Sequence, residues 1–497
     1  MTEFNVPLVI RGEVIEGADV QFGARTGLVK FSAPDVKRHL DRLPLRPPSK
    51  LGELQTLSFD DVLDYLEELG AALDFSRNRH LQEAYELSCL TSTGLSPGIL
   101  KYTYENIGRV FNRDEMRQMA DILVGIRFLE GWVDIRKAPG YNIAVRAFGA
   151  RTVHIPAGNV PTVAAITILR NTLIRSDAII KTPSNDPLTA AAIARTMIDI
   201  APNHPLTRTV SVAYWKGGDA EVEDVLYRPA NVEKIVAWGG FASVSHIAKY
   251  IQPGIDLITL DPKLSSTIIG PQAFEDETTM KEVARRLALD VGVFNQEGCL
   301  NARVVYVQSG TDRAGLEKAN ALGKLVYEAI QSLPSYVSGP ARRVNPELAE
   351  EIEGLRYSGG LYRLIGGDAK GGVIVSQSDE PVEFSPLLYN RICNIVPVDD
   401  LEVPIRAVTA YTQTIGIYPD SLAPQLRDRL AFHGAQRFTS LGYATRRVVA
   451  GPSDGIEPLR RMAKWIMHET YDSAIEPPLP PGPAGDSEAP LATETHL

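Results

Sequence analysis

The chain has 497 residues, 44% hydrophobic and 23% charged, with a net charge of −10. That length predicts two or three lobes around separate cores, and the apolar content is that of an ordinary globular protein. The charge is spread out with no long basic run, which argues against a nucleic-acid partner, and no stretch of about 18 uncharged apolar residues is present to span a membrane.

Residues 1–48 alternate short apolar runs with turn residues and predict a small N-terminal β arm ending in the Pro-rich break LPLRPPSK. The opening MTEFNVPLVIRGEVIEG lacks the basic and sustained apolar stretches of a secretory leader. Next, Ser58 with Asp61 three residues on is a helix-start signal, and Val62, Leu66, Leu69 and Leu73 form one apolar face. Helical spacing continues to about residue 130, and 133–155 reads as extended chain. From there AAITILRNTLI, AIIK, PLTAAAIARTMIDI, TVSVAYW and KIVAW alternate helix and strand character, as in a parallel sheet with helices on both faces. The alternation resumes beyond residue 265 as a second α/β lobe. The Pro-rich end, 476–497, is expected to be disordered.

Three cysteines, Cys89, Cys299 and Cys393, form no C-x-x-C pair, and the eight histidines form no H-E-x-x-H. A disulfide scaffold and a metal centre are therefore not expected, and a reducing, cytoplasmic location is. Cys89 and Cys393 sit in apolar patterns and read as core residues, as His154 reads as a structural histidine. Cys299, in FNQEGCLNARVVYV, stands in a turn before a strand and reads either as packing or as a reactive thiol; Gln296 beside it either shapes the loop or touches substrate. Ligands of open α/β sheets bind beyond the carboxyl ends of strands. Lys181 ends one strand and Gly239-Gly240 follows another; taken singly, the first is as readily a surface lysine and the second a plain turn. No G-x-G-x-x-G fingerprint accompanies them.

In order, HIPAGNVP, IIKTPSNDPLTA, VAWGGFASV, LITLDPKLSSTII and FNQEGCLNAR resemble the aldehyde dehydrogenase superfamily. SPLLYNRICNIVPV, HGAQRFTSLGY and PSDGIEPLRRMAKWIMHE make the resemblance closer to the fatty acyl-CoA reductases of bacterial bioluminescence, over roughly residues 100–470. The implied fold is aldehyde-dehydrogenase-like: two α/β lobes with parallel-type sheets plus an oligomerisation β-hairpin. The implied division is a cofactor-binding domain at 49–265 with a candidate hairpin at 133–150, a catalytic domain at 266–440 and a C-terminal return at 441–475. The last strands near 440–450 are a second candidate for assembly into a homo-oligomer.

Residue by residue, the resemblance implies Cys299 as the catalytic thiol and Asn159 as an oxyanion-hole amide. It implies Lys181 at the cofactor ribose, Trp238, Gly239 and Gly240 near the pyrophosphate, and Glu383 near the nicotinamide ribose. Two positions depart from the hydrolytic dehydrogenases. Thr259 stands where those enzymes keep a glutamate that activates water, and threonine is no base near neutral pH. Ser184 stands where NAD-preferring relatives often carry a glutamate, and a serine accepts a 2′-phosphate that a carboxylate repels, so NADPH is the expected cofactor. The implied reaction is reduction of an acyl-CoA to an aldehyde through an acyl-cysteine, with CoA as leaving group and an acyl-protein synthetase as a candidate partner. An acyltransferase or thioesterase using the same cysteine, and a non-catalytic subunit keeping the fold, are the alternatives.

Overall fold

The computed structural model describes residues 4–24, 27, 29–260, 263–446, 450–476 and 478–479. Its first helix, Phe59–Ala72, starts where Ser58 and Asp61 cap it reciprocally: the Asp61 amide donates to Ser58 Oγ at 3.1 Å and the Ser58 amide donates to Asp61 Oδ2 at 2.7 Å. Val62, Leu66, Leu69 and Leu73 are all buried on its inner face. One core joins this helix to Thr162–Leu173, Thr189–Ile200 and the sheet beneath them.

That sheet has seven strands. Asp256–Leu260, Lys234–Trp238, Arg151–Ile155, Asp177–Lys181 and Val210–Ala213 lie parallel in that order. Leu8–Ile10 and Glu13–Ile15 extend it antiparallel, so part of the N-terminal β segment belongs to this sheet. Arg11, in the turn between those two strands, locks them on: its Nη2 donates to the buried Asp177 carboxylate at 3.0 Å and to the Leu43 carbonyl at 2.7 Å. The chain moves outward in opposite directions from the central strand Arg151–Ile155. The crevice between it and Lys234–Trp238 is the switch point at which such sheets bind ligands.

The second sheet runs Tyr362–Asp368, Gly371–Ser376, Ile392–Pro397, Ala302–Val307, Leu264–Ile269, Thr412–Tyr418 and Arg437–Ser440, parallel except for the first pair. Glu277–Gly292 and Arg313–Gln331 pack on one of its faces. A third, three-stranded antiparallel sheet pairs Val133–Ala138 with Tyr141–Phe148, and the latter with Lys464–Tyr471. The strand paired with the 133–150 hairpin is thus 464–471, while Arg437–Ser440 belongs to the second sheet. Positions 447–449 and nearly all of the 476–497 tail lie outside the described residues. Among the described residues no helix is long and apolar enough to cross a membrane, and no cluster of His, Cys, Asp or Glu is arranged to hold a metal ion.

His154 is buried on the central strand, with Nε2 3.1 Å from Asn171 Oδ1. Burial pushes its pKa down to about 4 against the pull of that hydrogen bond. The unfolded chain therefore holds the extra proton between about pH 6.5 and 4, and the stabilisation present above that window is lost as acid is added. His154→Leu should begin less stable at pH 8 by about 1–3 kcal/mol, for the Asn171 partner left unpaired. Between pH 6.5 and 4 it should then lose about 3 kcal/mol less than the parent, read from denaturation midpoints across that range. Equal acid slopes for the two proteins would refute this.

Candidate active site

The segment before Cys299 is a strained loop. Phe294, Asn295 and Gln296 follow one another with φ of 54°, 52° and 66°, a left-handed run that costs non-glycine residues about 1–3 kcal/mol each. Three amide side chains hold it. Gln296 Nε2 donates to the Ala302 and Ile392 carbonyls at 2.8 and 2.9 Å, and its Oε1 accepts from Ile392 N–H at 2.9 Å. Asn295 Nδ2 donates to the Gly94 carbonyl at 2.7 Å, and Asn301 Oδ1 accepts from the Gly298 amide at 3.0 Å. Gln296 is fully buried, so it shapes the loop. The result is a half-buried Cys299 immediately before the central strand of the second sheet.

Asn159, in the loop after the central strand of the first sheet, meets this turn: its Nδ2 donates to the Glu297 carbonyl at 2.8 Å. Its Oδ1 is buried without a partner. On the other side, Ser265 Oγ donates to the Cys299 carbonyl at 2.7 Å and accepts from the Thr414 amide at 3.1 Å, tying the cysteine to the strand Thr412–Tyr418. Burial pushes the Cys299 thiol pKa up and the Asp454 carboxylate pushes it further, while the Gln413 side chain, Arg303 and the cysteine's own amide pull it back. Thr259 ends up half-buried near the end of the strand Asp256–Leu260. Asp454, which the sequence reading did not name, is a carboxylate whose charge bears on the thiol, and the loop before residue 458 delivers it. Glu297 is a second carboxylate close by, receiving the Tyr389 hydroxyl, and Gly94 leaves it space that a Cβ would fill.

The expected cofactor residues gather at the carboxyl ends of the first sheet. Lys181 ends its strand with Nζ 5.6 Å from the centre of the Trp215 ring. Burial lowers its pKa, opposed by the charge of Glu223. Glu223, absent from the sequence reading, is fully buried and accepts from the Gly218 amide at 3.1 Å, with His246 Nε2 at 2.6 Å. Ser184 is half-buried in the following loop and makes no hydrogen bond among the described residues. Trp238 ends its strand beneath the Arg170 guanidinium at 5.6 Å. Gly240 precedes the helix Phe241–Ala248 with no side-chain cap, and a Cβ on it would meet nothing within 4 Å. That open, uncapped helix start fits a pyrophosphate, and with Lys181 it fits a dinucleotide at the switch point. Glu383 is exposed and hydrogen-bonded to none of the others among the described residues. A surface hollow of about 570 Å³, lined by Lys234, Asp256 and Arg460, lies at the opposite strand ends and includes none of these groups.

Two α/β lobes meeting at the cysteine loop and the Asn159 loop define an aldehyde-dehydrogenase-like fold. Lactaldehyde dehydrogenase from Escherichia coli superposes with a TM-score of 0.71 over 94% of this chain and 100% of that one, at 15% identity. A family model described as acyl-CoA reductase (LuxC) matches residues 54–465, and the chain belongs to that family. A long-chain acyl-protein thioester reductase of Vibrio harveyi is 25% identical over 493 residues, covering 95% of this chain and 96% of the relative. Another of that name, from Photorhabdus luminescens, is 31% identical over 335 residues, or 65% of each chain.

Gln413, Asp454, Arg303, Glu297 and Glu223 are the residues that sequence reasoning missed. The only local signals were an Asp-Gly turn at 454–455 and an arginine four places after the cysteine.

Proposed function

We propose that this protein reduces an acyl thioester to an aldehyde, with Cys299 carrying the acyl group and NADPH as the reductant. The observation that supports this most is the Asn159 amide bonded to the Glu297 carbonyl, two residues from Cys299. Cys299, as thiolate, attacks the thioester carbonyl and a C–S bond forms. The developing oxyanion is held by the second Nδ2 hydrogen of Asn159 and the Cys299 amide. Collapse expels the donor thiolate, CoA in the simplest case, and leaves acyl-Cys299. The bound dinucleotide supplies a hydride. The thiohemiacetal on Cys299 then collapses, the C–S bond breaks and the aldehyde leaves. Thr259 has no basicity with which to divert the acyl group to water. The relatives' names support a protein-borne thioester as an alternative donor, and an acyl-protein synthetase is kept as the candidate supplier.

Ser184 offers no charge against a 2′-phosphate and Lys181 attracts one, although Glu223 offsets part of that attraction. Three free cysteines support a cytoplasmic setting. The three-stranded sheet exposes Ile135, Ile466, Met467 and Tyr471, which supports assembly of a homo-oligomer through it. Glu383 is kept as a candidate for the nicotinamide ribose.

A second reading, thioester hydrolysis, is favoured by Asp454, a carboxylate acting on the sulfur. Product analysis separates the two. Short, long and aromatic acyl-CoAs and an acylated carrier protein are incubated with NADPH, with NADH, and with neither. Aldehyde formed only with reduced nicotinamide, at a higher kcat/KM for NADPH, is the expected result. Free acid released without cofactor would overturn the reductase reading in favour of hydrolysis.

A further inference from the structure

Three successive peptide planes run through the cysteine turn, and each is pinned. The Glu297 carbonyl accepts from Asn159 Nδ2 at 2.8 Å, and the amide of the same plane, on Gly298, donates to Asn301 Oδ1 at 3.0 Å. The Gly298 carbonyl accepts from the Asn301 amide at 3.2 Å. The Cys299 carbonyl accepts from Ser265 Oγ at 2.7 Å. One group in this run stays uncommitted: the Cys299 amide donates to no oxygen among the described residues. The Gly298–Cys299 bond is trans, so that amide points away from the Gly298 carbonyl, in a direction the Asn301 amide has already fixed.

Ser265 supplies the pin on the far side of the cysteine, from another strand. It is 3% exposed, and its hydroxyl also accepts from the Thr414 amide at 3.1 Å. A backbone amide can only donate and a carbonyl can only accept, so the single hydroxyl hydrogen is committed to the Cys299 carbonyl. The strand Leu264–Ile269 is irregular at this residue against both neighbours. Ser265 pairs with Ala302 but Ser266 with Val304, and Leu264 pairs with Thr412 but Ser266 with Ile415. Extra residues of this kind re-aim side chains beside active sites. With the Gly298–Cys299 plane held by Asn301, the Ser265 bond fixes the plane that follows, and the sulfur and the amide project from a backbone held on both sides.

We propose that Ser265 is a positioning residue for the reaction: through its bond to the Cys299 carbonyl it holds the thiol and the Cys299 amide in the arrangement that takes up an acyl carbon and its oxyanion. The inference rests on the reading of Cys299 as the nucleophile. Ser265 itself makes and breaks no bond to substrate; it acts through the peptide that follows the cysteine. Thiolate formation is not its task, since it carries no charge and its only hydrogen is spent on a carbonyl.

The test compares two reactions of the same sulfur in the full chain: acyl transfer from an acyl-CoA, which needs the oxyanion donors, and alkylation by iodoacetamide, which does not. Ser265→Ala should slow acylation of Cys299, read by peptide mass spectrometry, about 10–10²-fold, the penalty of a small misplacement of reacting groups. It should lower kcat for aldehyde formation by a similar factor with KM little changed, and leave the iodoacetamide rate and its pH profile at the parent's. Ser265→Thr keeps the hydroxyl and should restore most of the rate. Ser265→Val has the shape of threonine without the hydroxyl and should not. Cys393, fully buried, reports folding in the same samples. Should Ser265→Ala expose Cys393, the comparison of Ser265→Thr with Ser265→Val decides. Acylation at the parent's rate in Ser265→Ala or Ser265→Val, or acylation and alkylation falling together, overturns the proposal. A parent that is alkylated at Cys299 but takes no acyl group there overturns the nucleophile reading, so the two failures are distinguishable.

Discussion

Replacing Cys299 by alanine should abolish aldehyde formation, with kcat falling on the order of 10³-fold or more, while the fold survives. The loss follows from chemistry: without sulfur there is no atom to accept the acyl carbon, and the remaining oxyanion donors act on nothing covalent. The fold survives because the loop is built by Asn295, Gln296 and Asn301, whose amides make the bonds that hold the left-handed run, not by the thiol. Cys299→Ser should do little better, because a serine hydroxyl is far less acidic than a thiol and the Asp454 charge opposes its ionisation. Cys89→Ala is the control, since that residue lies on the helix Arg79–Thr91 with its thiol beside Tyr85. Steady-state aldehyde production beside denaturation midpoints checks all three. Full turnover by Cys299→Ala would remove the covalent mechanism.

Asn159→Ala should lower kcat about 10²–10³-fold, with KM for the acyl donor little changed, because the lost donor serves the oxyanion and not the ground-state carbonyl. Some loss of stability accompanies it: the bond to the Glu297 carbonyl contributes about 1 kcal/mol. Asn159→Asp should be worse, since a carboxylate there faces both the Glu297 carbonyl and the developing oxyanion. Measuring kcat and KM separately decides the matter. A rise in KM at constant kcat would show that Asn159 serves substrate binding alone.

Local signals in the sequence reached the fold well. The Ser58–Asp61 cap, the apolar face from Val62 to Leu73 and the strands ending at Lys181 and Trp238 are each written in a dozen residues or fewer, and each forms as read. Parallel strands buried on both faces leave plain apolar runs such as Ala178–Ile180. The cysteine, the asparagine and the strand-end glycines were legible through the resemblance, because each lies in its own contiguous motif. What stayed hidden depends on distant chain segments meeting. Gln413 begins a strand two places away from the one Cys299 introduces, and only the parallel register of the second sheet brings it beside Ser265. Asp454 arrives on a loop after that sheet is complete. Glu223 is a helix residue whose partners come from the loop before that helix and from a second helix. Nothing in a glutamine or an aspartate read alone separates such positions from solvated ones.

The strained loop also explains why the cysteine needed three amide residues around it. A run of left-handed residues persists only where the surroundings over-determine it, and Asn295, Gln296 and Asn301 spend their side chains on backbone groups of four separate segments. The thiol is thereby set at the lobe interface with Asn159 already in reach of the same turn.

The most direct measurement is intact and peptide mass spectrometry of the protein mixed with an acyl-CoA in the absence of nicotinamide. One acyl group on the peptide containing Cys299, discharged as aldehyde when NADPH is added, is the expected result. An unmodified Cys299, or an acyl group carried by Cys89 instead, would contradict the account whatever the turnover assays show.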